Sequence, residues 1–287
     1  MLSTFKQKWL AIKLITRMDK PIGSYLLLWP TYWALWIACD GWPSLHLLVV
    51  FSLGVFVMRS AGCVINDIAD MNIDGKVERT KNRPLVSGLM AKDEAISLFG
   101  VLIGIALGLV LTLSWATIYL SIVALLLAAS YPFMKRYTQL PQVVLGAAFS
   151  WGMIMAFSEA QGEIPVIAWL LFAANLLWTV AYDTMYAMVD RNDDVEIGVK
   201  STAILFGNND KRIVGFLQLL VLGLLLTVGD MLAFGWPYQL SLVIAAGLFA
   251  YQQMLIINRE RDKCFQAFLH NHWVGLVVFM GIFIEYL

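Results

Sequence analysis

Hydrophobic residues come in long blocks along this chain, and polar residues are confined largely to the seams between them. The blocks run near 22–39, 45–66, 95–113, 115–131, 142–158, 164–188, 212–229, 237–257 and 268–286. Each approaches the roughly 20 apolar residues that carry a helix across a bilayer, so the pattern predicts nine transmembrane helices. The seam between the third and fourth blocks is almost nothing, Leu113-Ser114-Trp115. The opening segment reads differently. Lys6, Lys8, Lys13, Arg17 and Lys20 are interleaved with Phe5, Trp9, Leu10, Ile12, Leu14 and Ile15, which predicts an amphipathic helix over residues 1–21 lying on the membrane surface. No apolar core with a small-residue cleavage site follows it, so it does not read as a signal peptide.

Composition agrees with this picture. Of 287 residues, 60% are hydrophobic and 14% charged, and the mean hydropathy is +0.74. A soluble domain carries roughly 25% charged residues. The expected class is therefore all-α, a polytopic membrane protein forming one domain over residues 1–287. The net charge of zero says little, but its distribution says more. Every lysine and arginine except Arg59 falls in the opening segment or in alternate loops, and the loops around Asp40–Pro43, Ser158–Pro165 and Gly229–Pro237 hold none. The positive-inside rule then places the N-terminus in the cytoplasm and the C-terminus outside. No cleavable targeting segment is visible, which favours a bacterial inner membrane, with the C-terminus periplasmic. Cys39, Cys63 and Cys264 stand singly, and His46, His270 and His272 lack metal-ligand spacing; packing roles suit them better. Nothing in the pattern calls for a nucleic acid or an obligate protein partner.

The chemistry concentrates in two acidic clusters at the ends of apolar blocks. One reads Asn66-Asp67-Ile-Ala-Asp70-Met-Asn-Ile-Asp74; the other reads Tyr182-Asp183-Thr-Met-Tyr186-Ala-Met-Val-Asp190-Arg-Asn-Asp193-Asp194. Carboxylates beside a bilayer are costly and mark function by default. At 100° per residue, Asp67, Asp70 and Asp74 fall within about 60° of one another, and Asp183, Asp190 and Asp194 within about 40°. Like charges this close need protons or cations. Magnesium favours carboxylates together with substrate phosphates, so two acidic walls with a diphosphate bridged between them by Mg2+ fit the pattern. Solvated loop acids or helix caps would be the bland alternative for a single cluster; two on the same side of one chain point to a site.

Basic residues accompany both clusters: Lys76, Arg79, Lys81 and Arg83 follow the first, and Arg191 and Lys200 the second. Individually these could be topology determinants; as a set they suit a diphosphate. Arg59 lies inside the second block, seven residues before Asn66 and so on the same helical face, where contact with an anionic substrate group explains it better than snorkelling does. Each cluster is followed by a long polar loop and a pair of blocks. That arrangement predicts two four-helix pseudo-repeats whose clusters face one another across a central cavity.

At these residues the chain resembles the UbiA family of intramembrane prenyltransferases. The matching pieces are Arg59-Ser-Ala-Gly62-Cys63-Val-Ile-Asn66-Asp67-x2-Asp70-x3-Asp74, Asn82-Arg83-Pro84-Leu85, Tyr131-Pro132-x2-Lys135-Arg136 and Tyr182-Asp183-x2-Tyr186-Ala187-x2-Asp190-x3-Asp194. The resemblance covers nearly the whole chain and implies nine helices around a central cavity with a cytoplasmic active-site cap. Arg17-Met-Asp19-Lys20-Pro21-Ile22-Gly23 and Leu28-Trp29-Pro30-Thr31 favour the subgroup that acts on 4-hydroxybenzoate in ubiquinone synthesis. The implied reaction alkylates the ring carbon beside the phenol with a polyprenyl diphosphate and releases diphosphate. Asp67, Asp70, Asp74, Asp190 and Asp194 would hold Mg2+ on the diphosphate. Arg59, Lys81, Arg83 and Lys135 would take up leaving-group charge, with Asn66 beside them in the motif. Tyr186 would face the allylic cation, and Asp183 would orient the phenol or take the ring proton. Arg17, Arg59 and Arg136 compete for the benzoate carboxylate. A different aromatic acceptor is the nearest rival, and a transporter the rival from another class; transporters keep their charges near mid-span, whereas these lie at helix ends.

Overall fold

The computed structural model describes residues 2–75 and 80–287, and among these every regular element is helical. The helices are α1 Leu2–Ile15, α2 Ile22–Ala38, α3 Leu45–Asp74, α4 Lys92–Val110, α5 Trp115–Tyr137, α6 Pro141–Gln161, α7 Val166–Ile197, α8 Thr202–Phe206, α9 Asp210–Met231, α10 Trp236–Leu255 and α11 Arg261–Glu285. Each apolar block of the sequence lies on one long helix. Seven spans among the described residues are long and apolar enough to cross a membrane: α3 to α7, α9 together with α8, and α11. α2 has only 17 residues, and α10 is diluted by Gln239, Gln252 and Gln253.

Local chemistry sets the breaks. Ser114 caps α5, its side chain accepting from Thr117 N at 3.4 Å, so even the narrow seam after α4 ends one helix and begins another. Gly162 and Gly198 close α6 and α7 in the left-handed conformation, both at φ 73°, where a glycine carries no Cβ penalty. The amphipathic opening is helical only to Ile15, shorter than the expected 1–21. Arg17 then takes a left-handed φ of 58° and turns the chain into α2. α1 buries Ala11 and Ile15 against Val64, Met90 and Ala95 and leaves Trp9 and Leu10 exposed.

The core sits among α2, α6, α7, α9, α10 and α11. Trp33 and Trp178 stack at 5.5 Å, and both indoles are satisfied: Trp33 donates to Gly275 O at 2.9 Å and Trp178 to Asn271 Oδ1 at 2.8 Å. Gly275 has to be glycine, since a Cβ there would lie 2.8 Å from Trp29 and 2.9 Å from Trp178. Small residues that let helix backbones approach are how apolar helices gain packing energy in lipid. By contrast, α4 and α5 are little covered by the rest of the protein, with 11% of each apolar window buried.

Two helices exceed the bilayer. α3 has 30 residues and α7 has 32, which at 1.5 Å per residue makes them roughly 45 and 48 Å long against a hydrocarbon core of roughly 30 Å. Their last turns therefore project beyond the apolar layer, and those turns carry the acidic clusters.

Candidate active site between two helix ends

The C-terminal turns of α3 and α7 line one cavity of about 1330 Å3. Asn66, Asp67, Asp70 and Asp74 line it from α3, and Asp183, Tyr186, Asp190 and Asp194 from α7. Helical spacing puts each set on one face, and the fold turns the two faces into the same space. Asp183 lies about 26 Å along α7, deeper than Asp190 and Asp194 by roughly two to three turns. Arg17, Arg59, Arg83 and Lys135 also line the wall. Below the charged level the wall becomes apolar, with Leu107 and Val110 of α4 and Ala124, Leu125 and Ala128 of α5.

The first acidic row is buried and neutralised residue by residue. Asp67 and Asp70 are each 1% exposed and Asp74 5%. Arg17 Nη2 donates to both oxygens of Asp67, at 2.9 and 3.1 Å. Arg83 Nη1 lies 3.0 Å from Asp67 Oδ1 and 2.6 Å from Asp74 Oδ2. Lys135 donates to Asp70 Oδ2, whereas Asp70 Oδ1 is buried without a hydrogen-bond partner among the described residues. Buried carboxylates of this kind are tolerated only with such partners. Asp74 lies beyond the Leu45–Met71 span; burial pushes its carboxyl upward while Arg83 pulls it back.

The second row is half-buried and braced from its flanks, with Arg261 Nη2 donating to Asp193 Oδ1 at 2.8 Å. The ends of α5 and α7 are also tied together: Lys200 N donates to the carbonyl of Lys135 at 3.2 Å, and Lys200 Nζ to that of Tyr137 at 3.3 Å. Lys135 thus touches the first row through its side chain and the segment after the second through its backbone.

Arg59 sits deeper. Its electrostatic neighbours are Cys63, Tyr131, Tyr182 and Tyr186, its Nε is buried without a hydrogen-bond partner, and its guanidinium lies against Gly23, where a Cβ would collide with it. Tyr182 Oη is also buried with no hydrogen bond. Tyr186 packs on Phe268 at 4.6 Å between ring centres, which lays an aromatic surface beside the acids.

Three of the basic candidates stand outside the cavity wall, Arg191 being turned to Asp210. Lys81 is exposed; Arg136 is 42% exposed and spends Nη2 on Ala69 O at 2.5 Å, 3.9 Å from Asp70 Oδ1. Lys76 and Arg79 lie outside the described residues. The wall also includes Arg261, Asp262, Phe265 and Phe268 of α11, which no spacing signal joins to either cluster because some seventy residues of chain intervene. As they stand, no three His, Cys, Asp or Glu side chains among the described residues converge on one metal position. The donor set nevertheless suits a hard divalent cation: carboxylate oxygens from two helices, one of them without a hydrogen bond.

The sequence pattern of the UbiA prenyltransferase family matches residues 27–276. The chain belongs to that family. It is 80% identical over 287 residues, all of both chains, to a 4-hydroxybenzoate octaprenyltransferase of Colwellia psychrerythraea. To that of Yersinia enterocolitica it is 58% identical over 285 residues, 99% of each chain. Among solved structures, the apo form of a UbiA homolog from Aeropyrum pernix matches with a TM-score of 0.81 at 24% identity, covering 92% of this chain and 98% of that one. A UbiA homolog from Archaeoglobus fulgidus, solved with GPP and Mg2+ bound, gives 0.69 at 16% identity, covering 93% and 99%. Both show the fold of this UbiA family member, an all-helical multi-pass membrane protein.

Proposed function

We propose that this UbiA family protein transfers a polyprenyl group from polyprenyl diphosphate to the ring carbon ortho to the phenol of 4-hydroxybenzoate, in ubiquinone synthesis. The observation that carries this reading is the convergence of two acidic helix ends, with cations and tyrosines, on one cavity that continues into an apolar wall. The names of the relatives at 80% and 58% identity support the acceptor.

In this reading the diphosphate sits between the two rows. Asp67, Asp70, Asp74, Asp190 and Asp194 would hold Mg2+, whose positive charge would stabilise the leaving diphosphate. Arg83 and Lys135 lie beside the same acids and offer charge-assisted donors to the diphosphate; Asn66 adds an amide at the same level. The allylic C–O bond breaks with its electron pair leaving on diphosphate. Tyr131, Tyr182 and Tyr186 would then face the carbocation, and the apolar wall below the charged level would limit its contact with water. The ring carbon forms the new C–C bond and gives up its proton, for which Asp183, the deepest carboxylate on α7, is the candidate base. Among the three arginines proposed for the benzoate carboxylate, Arg59 is favoured. Arg17 is occupied by Asp67 and Arg136 by Ala69, whereas Arg59 offers an unused donor among tyrosines.

The prenyl tail would lie along the apolar surface of α4 and α5 and arrive through a lateral opening between helices. We place the protein in a bacterial inner membrane as nine spanning helices in a single domain of two four-helix pseudo-repeats. The N-terminus and the active-site cap lie on the cytoplasmic side and the C-terminus on the periplasmic side. The distribution of basic residues supports that orientation.

The test is product formation by purified protein in detergent from labelled 4-hydroxybenzoate, octaprenyl diphosphate and Mg2+. A hydrophobic labelled product that disappears with EDTA, and in both Asp70→Asn and Asp190→Asn, supports the reading. Transfer only to another aromatic acid would replace the acceptor. Bound diphosphate without any product across a panel of acceptors would end the enzyme reading.

A further inference from the structure

One acid that the prenyl-transfer reading leaves unused is among the most buried. Asp210, the first residue of α9, has no exposed surface. Arg259, in the turn between α10 and α11, grips it with two nitrogens: Nε lies 2.8 Å from Oδ2 and Nη2 2.7 Å from Oδ1. Arg191 of α7 reaches Oδ2 from the other side at 3.4 Å. Arg259 holds a left-handed φ of 55°, and its Nη2 also donates to Asn208 O at 3.0 Å. A non-glycine residue stays in that conformation when its surroundings over-determine it, and here they do so through the carboxylate.

What this network holds is the end of α7. Arg191 directly follows Asp190, and Asp193, bound by Arg261, directly precedes Asp194. On a helical projection Arg191 and Asp193 each lie about 60° outside the Asp190–Asp194 row, on opposite sides. The Asp193 flank of that row is therefore tied to Arg261, the first residue of α11, and the Arg191 flank to Asp210, which Arg259 of the preceding turn holds.

We infer that the Asp210–Arg259 pair, with Arg191 and Arg261, is a positioning clamp that sets the rotation of the α7 end and hence the direction in which Asp190 and Asp194 point. The inference rests on the reading of those two acids as the donor-diphosphate side of the site. Asp210, Arg259 and Arg191 lie off the cavity wall and act through those two acids, whereas Arg261 lines the wall beside them. A loss of the clamp therefore weakens Mg2+ and donor binding and leaves the acceptor pocket around Arg59, on α3, as it was.

The experiment uses the full chain in detergent, with Arg259→Gly, Arg259→Lys and Asp210→Asn. It reads thermal unfolding, hydrogen exchange over residues 186–197, half-saturating Mg2+, and KM for each substrate. Arg259→Gly is informative because glycine accepts the positive φ without strain, so the turn persists while the grip is lost. The expected result is a protein that folds, with a lowered unfolding temperature because buried Asp210 loses its closest counter-charge, and with faster exchange at the α7 end. Half-saturating Mg2+ and donor KM rise about tenfold, the usual scale for partners one shell out from a metal, with acceptor KM unchanged and Arg259→Lys recovering part of the loss. A folded Arg259→Gly protein with wild-type exchange and Mg2+ dependence overturns the clamp, as does an equal rise in both substrate KM values. If Asp210→Asn does not fold, the two Arg259 variants decide. If the wild type transfers nothing to any acceptor, the proposed reaction fails, while the exchange measurement still tells whether the clamp holds α7.

Discussion

The two acidic helix ends share a seven-residue step, Asp67 to Asp74 and Asp183 to Asp190, and yet differ in burial and in what is tied down around them. The α3 row is almost fully buried, and each of its acids is met by a cation from elsewhere: the α1–α2 turn, the loop after α3, and α5. The α7 row is half-buried, and the residues between its acids are tied down by the α10–α11 turn and the start of α9. A carboxylate removed from water needs a counter-charge at hydrogen-bond range, and the α3 row has one for each acid. The α3 row is thus a neutralised patch that a metal would enter by competing with bases, and the α7 row is an edge whose flanking residues are tied to neighbouring helices.

The largest effect that tests this comparison is the loss of either row. Asp70→Asn and Asp190→Asn should each cut turnover by about a thousandfold, since a metal-held leaving group contributes several kcal/mol; EDTA should do the same to the wild type, and added Mg2+ should reverse it. A residual rate in only one of the two variants would show that the rows are unequal partners. Next, Arg59→Leu should raise the acceptor KM by roughly 10- to 100-fold, the weight of a charged hydrogen bond, with donor KM little changed. Equal rises in both would move Arg59 to the diphosphate.

Lys135→Gln should separate the rows by stability. It leaves Asp70 buried without its cation, a loss of about 2 kcal/mol once the partial exposure of Lys135 is discounted, seen as a lower unfolding temperature that Mg2+ restores. Gly23→Ala should push the Arg59 guanidinium aside and raise acceptor KM several-fold at an unchanged unfolding temperature; no change would mean that Arg59 adapts without consequence. The smallest effect should be on stability in Arg261→Gln. Its pair with Asp193 is 47% exposed on the arginine side, and such pairs contribute about 0–1 kcal/mol.

Much of this was legible along the chain. The nine apolar blocks each fall on one helix, because hydropathy is a local property and a spanning helix satisfies its own backbone. The narrow seam at Leu113-Ser114-Trp115 is a true break, made by the Ser114 side chain capping α5, a cap that the apolar pattern did not show. Block ends were less legible: the second block reads as ending at 66, while α3 runs to Asp74, and the sixth at 188, while α7 runs to Ile197. Polarity marks where the bilayer stops, whereas helical hydrogen bonding continues past it. The amphipathic opening failed in the same way at the other end, since residues 1–21 read as one face and the helix stops at Ile15, where Arg17 turns to meet Asp67.

Sequence alone therefore determined the all-helical membrane class, the two acidic rows, and which acids within a row share a face, because helical periodicity is set within a few residues. Only the tertiary structure decided which base meets which acid, that Arg59 sits among three tyrosines, and that α11 closes the wall. It also brought Asp210, Arg191 and Arg259 together. Those pairings join residues far apart in the chain; they arise from the packing of separate helices against one another, to which no local spacing responds.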